Sequence, residues 1–214
     1  MEDKTASLEA LKDIKSMMER SSRFISLSGL SGVFSGVFAL LGAAAAYWRV
    51  NMAPWAIRDT HTQFGTGKIV RIDYDVAVFL TLDALIVLMC SIALAWFFTR
   101  KKALKNNLPL WSKHSKHLLI NLSIPLVSGG LFCVILFYHG LIGLIAPATL
   151  VFYGLSLLNA GKFTLEEINY LGLSEIILGL LSLFFLGYGL IFWALGFGLL
   201  HIVYGILMYL RHDR

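Results

Sequence analysis

Long apolar runs dominate this chain, and polar residues gather in the segments between them. A helix needs roughly 20 apolar residues to cross about 30 Å of hydrocarbon. The first such run begins at Phe24 and closes at Trp48, and the second extends from Tyr74 to Phe98, interrupted by Asp75 and Asp83. Leu118 to Leu158 and Tyr170 to Leu210 are each too long for one crossing. They must fold back, the first near Tyr138-His139-Gly140 and the second at Gly187-Tyr188-Gly189, where glycine tolerates the dihedrals of a tight turn. The pattern predicts six spans, at about 25–48, 74–98, 118–138, 141–159, 170–187 and 190–210. Open backbone groups have no partner in lipid, so every span is read as a helix. The expected fold is an all-α polytopic membrane protein.

Two segments lie outside these spans. In residues 1–24, Leu8, Leu11, Ile14 and Met18 recur at three- to four-residue spacing, with Glu9, Lys12, Asp13, Lys15 and Glu19 elsewhere. This predicts an amphipathic helix, lying on the membrane or offering a docking face. Between Arg49 and Asp73, Trp48 and Trp55 are interface anchors. Val70, Ile72 and Tyr74 alternate with Arg71 and Asp73, as in a short strand or an extended lead-in. Asp59 and His61 are too few ligands for a metal site.

Composition narrows the class. The 214 residues are 57% apolar and 14% charged, with a mean hydropathy of +0.74. Soluble domains are about 45–50% apolar and about 25% charged. A soluble globule, a disordered chain and a disulfide-stapled domain are excluded. More than twenty mostly polar residues precede the first span, unlike a cleaved signal peptide. Cys90 and Cys133 are expected at depths about 15 Å apart, too far for a disulfide.

Charge sets the orientation. Of 18 Lys and Arg residues, only Arg49, Arg58, Lys68 and Arg71 fall on the side of the first loop. The others flank the termini, the loop 99–117 and Lys162. The positive-inside rule puts both termini in the cytoplasm. The expected partners are the lipid bilayer and a protein at the N-terminal helix or the basic loop 99–117. Nucleic acid is not expected, because the basic residues flank spans.

Asp83 is the most informative residue. An acid near a span's centre costs roughly 2.5–3.5 kcal/mol on insertion scales, so it should face protein or water and have a partner. Depth counting places Asp83, Tyr153 and His201 at similar levels, which allows a polar midplane site. Glu175, placed near the inner end of span five, would extend it as a relay, Glu175–His201–Asp83. Pro125 with Ser128, Gly129 and Gly130 predicts a break in span three. Small residues mark packing faces: Ser28, Gly32 and Gly36 in span one, and Gly187, Ala194, Gly198 and Gly205 with His201 in span six. The span-one face suits an internal or a subunit contact equally, so an oligomer stays open. No metalloprotease, nucleophile-elbow or P-loop motif occurs. The histidine depths disagree with haem ligation, so no cofactor is expected.

Val151-Phe152-Tyr153-Gly154-Leu155 resembles Ile202-Val203-Tyr204-Gly205-Ile206, as in duplicated hairpins. Arg20-Ser21-Ser22-Arg23-Phe24, the run Leu141 to Leu150 and the run Gly187 to Ala194 resemble a family of uncharacterised bacterial six-span inner-membrane proteins. The resemblance implies the membrane class and carries no activity. The first functional expectation is transport of a small solute or ion, proton-linked, through the midplane site. The alternative is a non-catalytic membrane sensor or scaffold, and an enzyme is least supported.

Overall fold

The structure, a computed structural model, describes Ile14 and residues 28–52, 57–61, 68–72, 74–105 and 113–212. Apart from Ile14, the expected N-terminal amphipathic helix lies outside these residues, as does 106–112 of the basic loop.

Among the described residues, six helices form a bundle: α1 (Gly29–Met52), α2 (Tyr74–Lys105), α3 (Lys113–Tyr138), α4 (Ile145–Gly161), α5 (Glu167–Ser182) and α6 (Gly189–His212). Five of them, all except the 16-residue α5, are long and apolar enough to cross a membrane. The protein is a transmembrane helical bundle. Between α1 and α2, strands β1 (Ile57–His61) and β2 (Lys68–Ile72) pair antiparallel, with Ile57 opposite Ile72 and His61 opposite Lys68. The alternation at residues 70–74 anticipated β2. The all-α expectation lacked β1, whose backbone groups β2 satisfies.

Boundaries shift where packing overrides hydropathy. The first span, expected at 25–48, is helical at 29–52. The fourth, expected at 141–159, opens with a 3₁₀ turn at Ile142–Leu144 and continues to Gly161. The fifth, expected at 170–187, starts at Glu167 and stops at Ser182, whose hydroxyl donates to Gly179 O at 2.8 Å. Tighter i→i+3 turns then lead to Tyr188. Both expected reversals are present, with Gly140 at φ 73° and Gly187 at φ 104°.

Helices consecutive in the chain run antiparallel, and α4 and α6, which touch at Ala146–Gly189 and Tyr153–His201, run parallel. α1 packs on α2 and α6, α4 packs on α3 and α5, and α5 packs on α6. The two ends of the bundle differ. One carries Arg100, Lys101, Lys116, Lys162 and Arg211 and is called the basic end; the other carries the strands and is called the hairpin end. α2 and α3 form the flanks and leave broad apolar faces exposed, including Met89, Ile92, Ile124 and Val127.

Glycines set the two closest helix crossings. A Cβ on Gly205 would lie 2.6 Å from Val33 N and 2.8 Å from Gly29 O, so α1 and α6 touch backbone to backbone. The small-residue face of α1 is therefore an internal contact. A Cβ on Gly154 would lie 2.5 Å from Gly172 O, so α4 and α5 meet in the same manner. The repeated pentapeptide thus places its glycine at a tight crossing both times.

Across the expected break at Pro125, Ser128, Gly129 and Gly130 the chain stays helical, within α3. Proline removes the donor that would serve the carbonyl four residues earlier, here that of Asn121. The Asn159 side chain of α4 donates to that oxygen at 3.1 Å. Membrane helices tolerate proline when a neighbouring group satisfies the freed carbonyl. Gly129 sits against the Phe152 ring, Gly130 faces open space, and Ser128 is exposed.

Candidate functional site: a buried carboxyl, imidazole and phenol

Three helices bring titratable side chains together at mid-bundle. Tyr153 lies eight residues from either end of α4, and Glu175 lies eight residues from the start and seven from the end of α5. At 1.5 Å per residue both are about 12 Å from their helix ends. Glu175 is therefore central, where hydropathy had put it near the inner end; the earlier start of α5 accounts for the correction.

His201 of α6 links the other two. Its Nδ1 lies 3.0 Å from Gly196 O, and its Nε2 lies 2.8 Å from the Tyr153 hydroxyl. A carbonyl only accepts, which assigns the ring hydrogen to Nδ1. Nε2 of the neutral ring then accepts from the Tyr153 O–H. Glu175 Oε1 lies 3.4 Å from the same Nδ1. Neither Glu175 oxygen makes a hydrogen bond among the described residues, although the side chain has 0% exposure. A buried polar group left without a hydrogen bond costs on the order of 1–3 kcal/mol.

The backbone beside this cluster is irregular. Residues Ala194–Leu200 of α6 are π-helical, flanked by α-helix at Gly189–Trp193 and His201–His212. π segments inside α-helices occur frequently at functional sites. Gly196 lies in this segment, and a Cβ there would collide with Glu175 Oε2. Only glycine lets the carboxyl come so close. Phe197, in the same segment, packs its ring 5.0 Å from that of Tyr153 and 5.9 Å from that of His201.

Toward the basic end the cluster is closed by Leu157, Leu165, Ile168, Leu171 and Met208, with Tyr204 packed against them. The Tyr204 hydroxyl lies 3.3 Å from Ser174 Oγ. Farther out, Glu167 accepts from Arg211 at 3.1 Å and pairs with His212 at 3.2 Å, tying the start of α5 to the end of α6. Burial pushes the Glu167 carboxyl up, but its backbone hydrogen bond and its bonds to His212 and Arg211 hold it below the usual value. A cavity of about 340 Å³ opens at the α4–α5 turn, lined by Gly161, Lys162, Glu166, Asn169 and Tyr170 and by none of the cluster residues.

Asp83 stands apart. Its carboxylate flanks Gly42 of α1, whereas the backbone of His201 flanks Gly32. Ten residues of α1 separate those glycines, about 15 Å. The expected midplane trio is therefore reduced to Tyr153 and His201, and the expected relay to Glu175 and His201. The depth count had assumed that α2 and α6 begin level at the hairpin end. Asp83 is half-buried on the stripe of α2 that faces α1, which also carries Val76 and Val87. No protein-family model, curated protein or solved structure matches the chain.

Two features escaped the sequence. Asn159 had a readable signal, because it is an amide at the depth of the carbonyl freed by Pro125. The π segment had none in the apolar run Ala194–Leu200.

Proposed function

We propose that the protein is a six-span bacterial inner-membrane protein that carries out proton-linked transport of a small solute or ion, with Glu175 as the proton-binding group. Six crossings are supported by the course of α5. It runs antiparallel to both neighbours, from the Glu167–Arg211 pair at one end to Gly179 beside Pro147 at the other. The bias of fourteen basic residues against four supports cytoplasmic termini. The bacterial membrane rests on the family resemblance. An amphipathic N-terminal helix on the cytoplasmic face completes the arrangement.

The observation that carries the reading is Glu175: fully enclosed, at mid-bundle, without a hydrogen bond among the described residues, and beside an imidazole. Ionisable residues inside membranes are costly, and proton relays are among the roles that retain them. His201 stands between the carboxyl and Tyr153, with Nδ1 3.4 Å from Glu175 Oε1 and Nε2 hydrogen-bonded to the Tyr153 hydroxyl. Asp83 is a separate polar point in the half of the membrane nearer the hairpin.

The alternative, a sensor or scaffold that engages a partner through its basic end, is favoured by the apolar closure of the cluster. One assay separates the two. Protein in liposomes loaded with a pH-sensitive dye should pass protons when a gradient is imposed, and Glu175→Gln should abolish the flux. Equal flux in both proteins, or none in the wild type, would count against the transport reading.

A further inference from the structure

We infer that residues 194–200 of α6 form a two-state element set by the proton on Glu175. The segment is π-helical while the carboxyl is neutral and His201 Nδ1–H is bound to Gly196 O. It becomes α-helical once the carboxyl is ionised and takes that hydrogen bond itself. The inference rests on the reading of Glu175 as the proton-binding group and adds the movement that its occupancy drives.

The competition is visible in the distances. His201 Nδ1 is 3.0 Å from Gly196 O and 3.4 Å from Glu175 Oε1, so a small ring movement exchanges one acceptor for the other. A neutral carboxyl is the weaker competitor. An ionised one forms a charge-assisted bond roughly twice as strong as a neutral one. The backbone N–H of His201 bonds to Gly198 O, and its ring adds a side-chain tie to Gly196 O. Without that hold the segment loses a bond that favours the rarer helix over the ordinary one. The reaction balances simply: Glu175 releases one proton to bulk water, and no other covalent bond changes.

The surroundings fit a hinge. Toward the basic end, α6 is clamped to α1, where Gly29, Gly32 and Gly36 meet Gly198, His201, Ile202, Gly205 and Tyr209. Toward the hairpin end, Gly189 rests on Ala146 of α4. The clamp reaches into the π segment at Gly198, and residues 194–197 lie between the two anchorages. The groups facing the switch are Tyr153 from α4, Glu175 from α5, and His201 from α6, with Tyr204 one turn away. α1 presents Gly32 and Gly36 at this level and no titratable or charged residue.

Loss of the extra π residue moves one half of α6 against the other by about one residue, roughly 1.5 Å along the axis and 100° around it. At the radius of a side chain this displaces an attached label by roughly 8 Å. The test uses full-length protein in lipid nanodiscs, with Cys90 and Cys133 replaced by serine. Spin labels are attached at Ile191→Cys or Ile206→Cys, each paired with Leu131→Cys on α3, and distances are measured by pulsed electron paramagnetic resonance from acid to alkaline pH. The expected result is a change of several ångströms at Ile191→Cys and none at Ile206→Cys. Glu175→Gln should remove the change, and so should His201→Gln, which guards against misfolding of the first variant. A distance at Ile191→Cys that does not move with pH overturns the inference, even where proton flux is intact. A movement that survives both variants also overturns it. Loss of flux with the movement intact would instead overturn the transport reading alone.

Discussion

Replacing Asn159 should destabilise the bundle only while Pro125 is present. Pro125 leaves the Asn121 carbonyl without its helical donor, and Asn159 supplies one from α4 at 3.1 Å. Asn159→Ala strands that oxygen in a part-buried position. An unsatisfied buried acceptor costs about 1–3 kcal/mol in general, whereas interhelical hydrogen bonds in membranes average about 0.6 kcal/mol. The expected loss is therefore about 1–2 kcal/mol. Pro125→Ala restores a backbone N–H to Asn121 O and makes the Asn159 bond redundant, so Asn159→Ala on that background should cost about 0.5 kcal/mol or less. The coupling, about 1 kcal/mol, exceeds the roughly 0.3–0.5 kcal/mol scatter expected of independent sites. Steric trapping in bicelles would supply the four unfolding free energies. Additivity within that scatter would refute the claim that Asn159 replaces the donor that Pro125 removes.

Glycines divide by their surroundings: Gly205→Ala should cost about 1–3 kcal/mol through overpacking, whereas Gly130→Ala, which meets open space, should be neutral or mildly stabilising in thermal unfolding in detergent. Asp83→Asn and His201→Gln should have additive effects on stability, because about 15 Å of α1 separates their sites; a clear coupling energy would restore the expected pairing. Glu167 is held below its ordinary value, so its stabilising contribution is complete above the unfolded carboxyl range, about pH 4.3, and is lost as pH falls through the folded value. The stability difference between wild type and Glu167→Gln should thus be present at neutral pH, at most about 1 kcal/mol for this partly exposed pair, and vanish in acid.

The five helices long and apolar enough to cross a membrane were legible because lipid imposes a length that hydropathy reports directly. Both reversals were legible because Gly140 and Gly187 carry the positive φ that the turns require. Tyr153 and His201 could be matched by depth, since α4 and α6 both follow a turn at the hairpin end. Asp83 could not be matched, because depth does not reveal which helix lies beside which, and α1 stands between α2 and α6. How α3 stays helical through Pro125 was not legible, because the donor for the freed Asn121 carbonyl comes from the next helix. Chain order was likewise silent on the ten-residue separation of Gly32 from Gly42, which only the packing of α1 against two different helices reveals.

With α5 crossing the membrane as proposed, the central position of Glu175 has an electrical consequence. Moving one elementary charge through the full membrane potential is worth about 2.3 kcal/mol per 100 mV. A proton that reaches the cluster from one side crosses about half of that field. Voltage then contributes roughly 1.2 kcal/mol per 100 mV to its binding, close to a sevenfold change in occupancy. An energised cell would fill or empty this carboxyl at constant pH on both faces, and the direction would reveal from which face the proton enters.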